Sequence, residues 1–163
     1  MSVPTLRLAT DADLPALREL IARVEHFDDE EKQVTLELIE IFLGTGPTAG
    51  PEGDYPTLVA EVDGILIGYA TLGRTPFTDS TWHLYFIATD PAQRRGGIGR
   101  ALCQGCADFA AARQGRRLVL ETAGRDDYGG TRGFYLALGF REEGRIADYY
   151  RPGDDVVYYV WRW

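Results

Sequence analysis

Apolar residues along this chain recur with two different periods, and the change of period marks the elements. Thr5 to Ala9 alternates as a strand. In "TDADLPALRELIARVE" the residues Leu14, Leu17, Leu20, Ile21 and Val24 fall at helical spacing behind a Thr/Asp cap. "DDEEKQVTLELIEIFL" repeats the helical pattern. Acids fill its first turn, where the helix dipole favours them, and Val34, Leu38, Ile41 and Phe42 are expected on the packed side. "GTGPTAGPEGDYP" has no period and is rich in Gly and Pro, so it reads as a loop between halves of one domain. "TLVAEVDGILIGYATLGR" gives two β-rich runs joined at Asp63-Gly64, a hairpin signal. "TWHLYFIATD" is a further strand ending at Asp90-Pro91. Ile98 to Arg113 is helical, with Leu102, Cys106, Phe109 and Ala110 on one stripe. "RRLVLETA" is a strand, and "TRGFYLALGF" is a short helix stopped by Gly139. The last two strands flank the turn Arg151-Pro152-Gly153-Asp154.

The order is therefore βααβββαβαββ, an α/β chain of about seven strands in a mixed sheet flanked by helices. At 163 residues it is expected to be one domain, residues 1–163. Its 45% hydrophobic and 26% charged residues are those of an ordinary folded protein. A net charge of -8 argues against nucleic acid or an anionic membrane as partner, and in favour of a cationic or amine substrate. The first residues carry no export-type pattern, and no apolar run of about 18 residues occurs, so a cytoplasmic location is expected. Cys103 and Cys106 have redox or zinc spacing. With only His26 and His83 to complete a ligand set, they read as core thiols, and no metal is expected.

Against this acidic background, "DPAQRRGGIGRAL" gathers three glycines and three arginines between a strand and a helix. Glycines let backbone approach a ligand closely, and a helix N-terminus offers free N–H groups to an anion. The stretch lacks the Gly-Lys-Ser/Thr of a P-loop, and Leu102 stands where a dinucleotide fingerprint needs its third glycine.

"RRGGIG", Arg94 to Gly99, resembles the Q/R-x-x-G-x-G/A signature of the GCN5-related N-acetyltransferase (GNAT) superfamily. The strand before it, the helix after it, the later "FYLALGF" and the whole element order are similar too, from Thr5 to Trp163. The resemblance implies a mostly antiparallel sheet of the acyl-CoA N-acyltransferase fold. It also implies that acetyl-CoA is the acetyl donor. Backbone N–H groups of Arg95, Gly97, Gly99 and Arg100 would hold its pyrophosphate, with Arg94 at the Q/R position. Ile87 and Thr89 match positions whose backbone pairs with the pantetheine arm.

The implied reaction is acetyl transfer from acetyl-CoA to a primary amine by direct attack in a ternary complex. The alternative is a non-catalytic acyl-CoA binding or sensor module. Tyr135 matches the family tyrosine that acts as general acid toward the thiolate, while Tyr128 and Thr131 stand where Asn and Ala are frequent. His83 is the candidate base: it shares a strand face with Tyr85, Ile87 and Thr89, and imidazole takes protons near neutral pH. Glu121 and Asp148 are its rivals. In this family the first two helices and the last hairpin set acceptor choice. Here they offer "EHFDDEEK" and "DYYRPGDD", acidic and aromatic surfaces able to receive a cation. The expected acceptor is a small-molecule or peptide amine, and a homodimer is left open.

Overall fold

In the computed structural model, which describes residues 3–44, 54–93 and 96–163, the apolar periods become β1 (Thr5–Leu8), α1 (Leu14–Arg23), α2 (Asp29–Phe42), β2 (Thr57–Val62), β3 (Ile65–Arg74), β4 (Thr81–Thr89), α3 (Ile98–Ala111), β5 (Arg117–Ala123), α4 (Gly129–Leu138), β6 (Arg141–Arg151) and β7 (Asp154–Arg162). The seven strands form one mixed sheet in the order β1-β2-β3-β4-β5-β7-β6. The β1–β2, β2–β3, β5–β7 and β6–β7 pairs are antiparallel and β4–β5 is parallel. This is the mixed sheet of seven strands flanked by helices that the element order implied, and it is mostly antiparallel, as the resemblance implied.

The chain divides into two units, Met1–Gly73 with Leu84–Phe109, and Arg74–His83 with Ala110–Trp163. In the first, the β2–β3 hairpin turns on Asp63 and Gly64, both at positive φ (52° and 77°), the conformation that tight hairpins require. Leu17, Leu20, Ile21 and Val24 of the first helical stretch are buried, with Ile39, Val59 and Tyr69 in the same cluster. Two caps hold the helices. The Asp13 carboxylate accepts the Thr10 N–H at 2.7 Å, and Asp28 and Glu31 exchange side-chain to backbone bonds at 2.8 Å.

The packed side of α2 differs from the expected one. Thr35 and Ile39 are buried, whereas Val34 is exposed and Leu38 and Ile41 are half-buried. The helix is turned by about one residue because the Tyr69 phenol, buried beneath it, needs a partner and finds the Thr35 hydroxyl at 2.9 Å.

The second unit holds β5, β7 and β6, with β4 entering it through the pairs Thr81↔Arg117, Trp82↔Leu118 and His83↔Val119. The expected helix to Arg113 stops at Ala111. The chain unwinds through Gln114, φ 62°, into Gly115, whose carbonyl accepts Trp163 Nε1 at 2.9 Å. α4 ends as expected, with Gly139 in the left-handed conformation at φ 102°. No helix among the described residues is long and apolar enough to cross a membrane.

Candidate active site

The glycine-rich turn belongs to the first unit, and Asp90 organises its entry. The Asp90 N–H donates to Ile67 O at 2.8 Å, its Oδ1 accepts the Ala92 N–H at 2.9 Å, and its Oδ2 accepts Arg23 Nη2 at 2.9 Å. A short 3-10 turn, Pro91–Gln93, follows. Arg94 and Arg95 lie outside the described residues. Gly97 then takes φ 70°, which favours glycine, and a Cβ built on it would meet nothing within 4 Å.

The Gly97 carbonyl accepts the N–H of Ala101 at 2.9 Å, the first bond of α3. That register leaves the N–H groups of Ile98, Gly99 and Arg100 without intrahelical acceptors, at the positive end of the helix dipole. The helix start is seated by Gly68 of β3. A Cβ there would lie 3.1 Å from Ala88 O, 3.1 Å from Ile98 and 3.2 Å from Leu102, so only glycine lets the three come together. Open backbone, unpaired donors and the exposed Arg100 suit a diphosphate, and the residues present therefore fit the pyrophosphate of acetyl-CoA.

Along β4 the alternation is as the sequence implied. Trp82, Leu84 and Ala88 are buried, while His83, Ile87 and Thr89 are half-buried and Tyr85 is exposed. Tyr85 packs edge-on to Tyr55 with centroids 5.5 Å apart. Burial holds the His83 imidazole below its ordinary value, so it is neutral and able to accept a proton at pH 7.

In the second unit, Tyr135 is the buried side chain of α4, 7% exposed. Its ring lies 5.5 Å from Phe140 and 6.2 Å from Tyr159, while the neighbouring Phe134 is exposed. The C-terminal turn of α4 is closed by Phe140 N–H on Tyr135 O at 3.1 Å, and its N-terminal half is pinned by Arg132, whose guanidinium donates to Ala123 O and Arg125 O at 2.9 and 2.7 Å. Arg125 lies 5.0 Å over the ring of Tyr128.

Of the rival bases, Asp148 stands at φ 53° and accepts the Gly153 N–H at 2.6 Å, a bond that closes the β6–β7 hairpin. Glu121 is exposed on β5, where it is the register partner of Tyr158 on β7. His26 is exposed beside Phe27. Cys103 and Cys106 are fully buried, and desolvation, partly offset by Arg100, pushes the Cys103 thiol up to about 12. Both thiols are therefore inert toward redox chemistry. Among the described residues no group of three His, Cys, Asp or Glu could hold a metal ion. Sequence reasoning missed Arg23, the partner of Asp90, and placed Asp154 in a turn and on the acidic surface "DYYRPGDD", whereas it is buried at 3% exposure. Asp90-Pro91 at a strand end marked the place that Arg23 braces; nothing local marked the burial of Asp154.

Residues 14–140 match the acetyltransferase (GNAT) family. The chain is 33% identical over 135 residues to the N-alpha-acetyltransferase RimI of Mycobacterium tuberculosis, covering 76% of this chain and 79% of the relative. A crystal structure of an acetyltransferase of the GNAT family from Desulfovibrio desulfuricans superposes with a TM-score of 0.89 at 33% identity, covering 98% of this chain and 99% of the other. An acetyltransferase from Salmonella typhimurium, crystallised with its cofactor acetyl-CoA, shares the fold at a TM-score of 0.73 and 22% identity, over 99% and 94% of the two chains. The chain belongs to the GNAT family. It is an N-acetyltransferase that takes acetyl-CoA as donor, and of the two functions weighed on the sequence the enzyme stands.

Proposed function

We propose that the acceptor is the α-amino group of a peptide or protein, acetylated by direct attack in a ternary complex in the cytoplasm. The acceptor class rests on the relative named as an N-alpha-acetyltransferase, which the chain matches over three quarters of its length. Two buried free thiols suit a reducing compartment. The Gly97 turn, with its open backbone at φ 70° and the free amides of α3 behind it, is the observation that carries the donor side of this reading.

Acetyl-CoA supplies the activated acetyl thioester. The N–H groups of Gly97, Gly99 and Arg100 hold the diphosphate, with Arg94 and Arg95 assigned beside them, and the Arg100 guanidinium adds charge attraction. The backbone of Ile87 and Thr89 orients the pantetheine arm along β4. The His83 imidazole, kept neutral by burial, takes a proton from the acceptor ammonium, directly or through water. The Tyr135 hydroxyl, an O–H donor, gives a proton to the departing sulfur.

The test is release of free thiol from acetyl-CoA over a panel of small amines and peptides with free N-termini. Peptides are expected to outpace small amines. Tyr135→Phe is expected to lower kcat by about 10²-fold or more, the range of a lost general acid. Gly97→Glu should abolish acetyl-CoA binding, because bulk and negative charge enter the phosphate position. Unchanged affinity in Gly97→Glu, or unchanged turnover in Tyr135→Phe, refutes the corresponding assignment.

A further inference from the structure

In the second unit, the start of β5 and the end of β7 set two arginines directly opposite each other, Arg117 and Arg162. Cross-strand partners share a face of the sheet, so both side chains leave it on the same side, where like charges oppose the pairing. Arg141 on β6 is the partner of Val160, two residues before Arg162, and joins them on that face. On the other flank Thr81 of β4 pairs with Arg117, and the Thr75 N–H donates to Thr81 O at 2.9 Å, which sets Thr75 beside Thr81. One row across the sheet thus carries two hydroxyls and three guanidinium groups.

A single carboxylate faces them. Both oxygens of Glu143 accept from Arg162, Oε2 from Nη2 at 2.8 Å and Oε1 from Nη1. Those bonds above all, against desolvation and with the charges of Arg162, Arg117 and Arg141 behind them, hold the Glu143 carboxyl below its ordinary value. Arg117 and Arg141 have no ion pair of their own among the described residues, and the nearby Asp79 lies with Arg116. Three guanidinium groups against one carboxylate leave a surplus of two positive charges in a chain whose net charge is -8.

Burial makes that surplus costly. Arg117 Nε is buried and has no acceptor among the described residues, and the Thr75 hydroxyl is likewise buried without a partner. A buried N–H of a charged group costs free energy until an acceptor reaches it. That acceptor must be anionic to offset the surplus. A planar carboxylate satisfies one arginine fork, as Glu143 does for Arg162. A tetrahedral oxyanion points its oxygens in several directions and can accept from arginines on different strands. We propose that Arg117, Arg141 and Arg162, with Thr75 and Thr81, form a binding site for a tetrahedral dianion of the phosphate class, using none of the residues of the glycine-rich turn. Its charge matches the two surplus cations, and the bound anion ties β5, β7 and β6 together where like charges otherwise push them apart. The site is assigned independently of the acceptor reading above.

The test is calorimetric titration of the enzyme saturated with CoA, which keeps the glycine-rich turn occupied, with inorganic phosphate, methyl phosphate and acetate at one ionic strength. Inorganic phosphate is expected to bind at least about tenfold more tightly than acetate. Arg117→Gln and Arg141→Gln should each weaken phosphate by about threefold to tenfold, the loss of one charge-assisted contact. Glu143→Gln should strengthen it by about threefold or more, because a competing negative charge goes and Arg162 is released. Methyl phosphate binding as inorganic phosphate does identifies a phosphomonoester as the source, and its failure to bind identifies the free ion; both support the site. Phosphate that binds no more tightly than acetate, that is unaffected by both arginine substitutions, or that is weakened in Glu143→Gln overturns it.

Discussion

Removing one carboxylate at the start of α1 should change stability in a pH-dependent way that the structure specifies. Asp13 is 8% exposed, and both its oxygens accept from the Arg7 guanidinium, at 2.7 and 2.8 Å. Arg7 also reaches Glu61 on β2 at 2.5 Å, and Asp13 accepts the Thr10 N–H besides. The Arg7 bonds, opposed by burial and helped by Thr10, lower the carboxyl from 3.8 to about 2. Because the folded value lies below the unfolded one, the stabilisation is complete above the unfolded value and is lost as pH falls toward the folded one. The shift corresponds to about 2 kcal/mol at neutral pH, and screening at half-exposed Arg7 brings the expectation to about 1–2 kcal/mol. By pH 3 roughly half of that remains. Urea unfolding of wild type and Asp13→Asn between pH 7 and pH 3 measures it. The gap should be widest at neutral pH and about halve by pH 3. A gap that is constant across this range, or that widens on acidification, refutes the assignment of the stabilisation to the ionised Asp13. The consequence reaches the glycine-rich turn, since α1 carries Arg23, which holds Asp90 at its entry.

His83 is lowered by burial, so with His83 as base the acidic limb of kcat/KM should fall below the ordinary histidine value near 6.5, and His83→Gln should remove that limb; a limb above 6.5, or one that persists in the variant, assigns the base elsewhere. Gly115→Ala should cost about 1–3 kcal/mol, because its Cβ would lie 2.7 Å from the backbone oxygen of Ala110 and 2.7 Å from the Trp82 ring. Gly105→Ala meets instead the end of the Leu6 side chain at 2.6 Å, which can rotate away, so thermal melting should show a much smaller loss; equal losses would mean that the rigidity of the neighbour does not decide the cost.

Much of the site was legible because its signals are local. Asp63-Gly64 needs only its own positive φ angles to make a hairpin, and Gly139 only its own to stop α4. The alternation of His83, Tyr85, Ile87 and Thr89 against Trp82, Leu84 and Ala88 follows from strand geometry alone. The turn Gly96-Gly97 declares itself by glycines ahead of a helical stripe. What was misread or missed depends on partners far along the chain. α2 presents Thr35 rather than Val34 because Tyr69, 34 residues away, requires a hydroxyl. Arg23 matters through Asp90, 67 residues on.

The sequence by itself therefore determined the order of elements, the glycine-rich turn and the family, since each is written in periods, caps and glycines that act within a few residues. Tertiary structure decided which face of α2 is buried, which arginine braces the glycine-rich turn, that Glu121 lies beside Tyr158 and that Asp154 is buried. These depend on strand register, which pairs Glu121 with Tyr158 across 37 positions, and on burial, which leaves one oxygen of Asp154 without a donor. No local pattern encodes either, because a carboxylate is commonplace in a turn and loses its water only where distant parts of the chain pack over it.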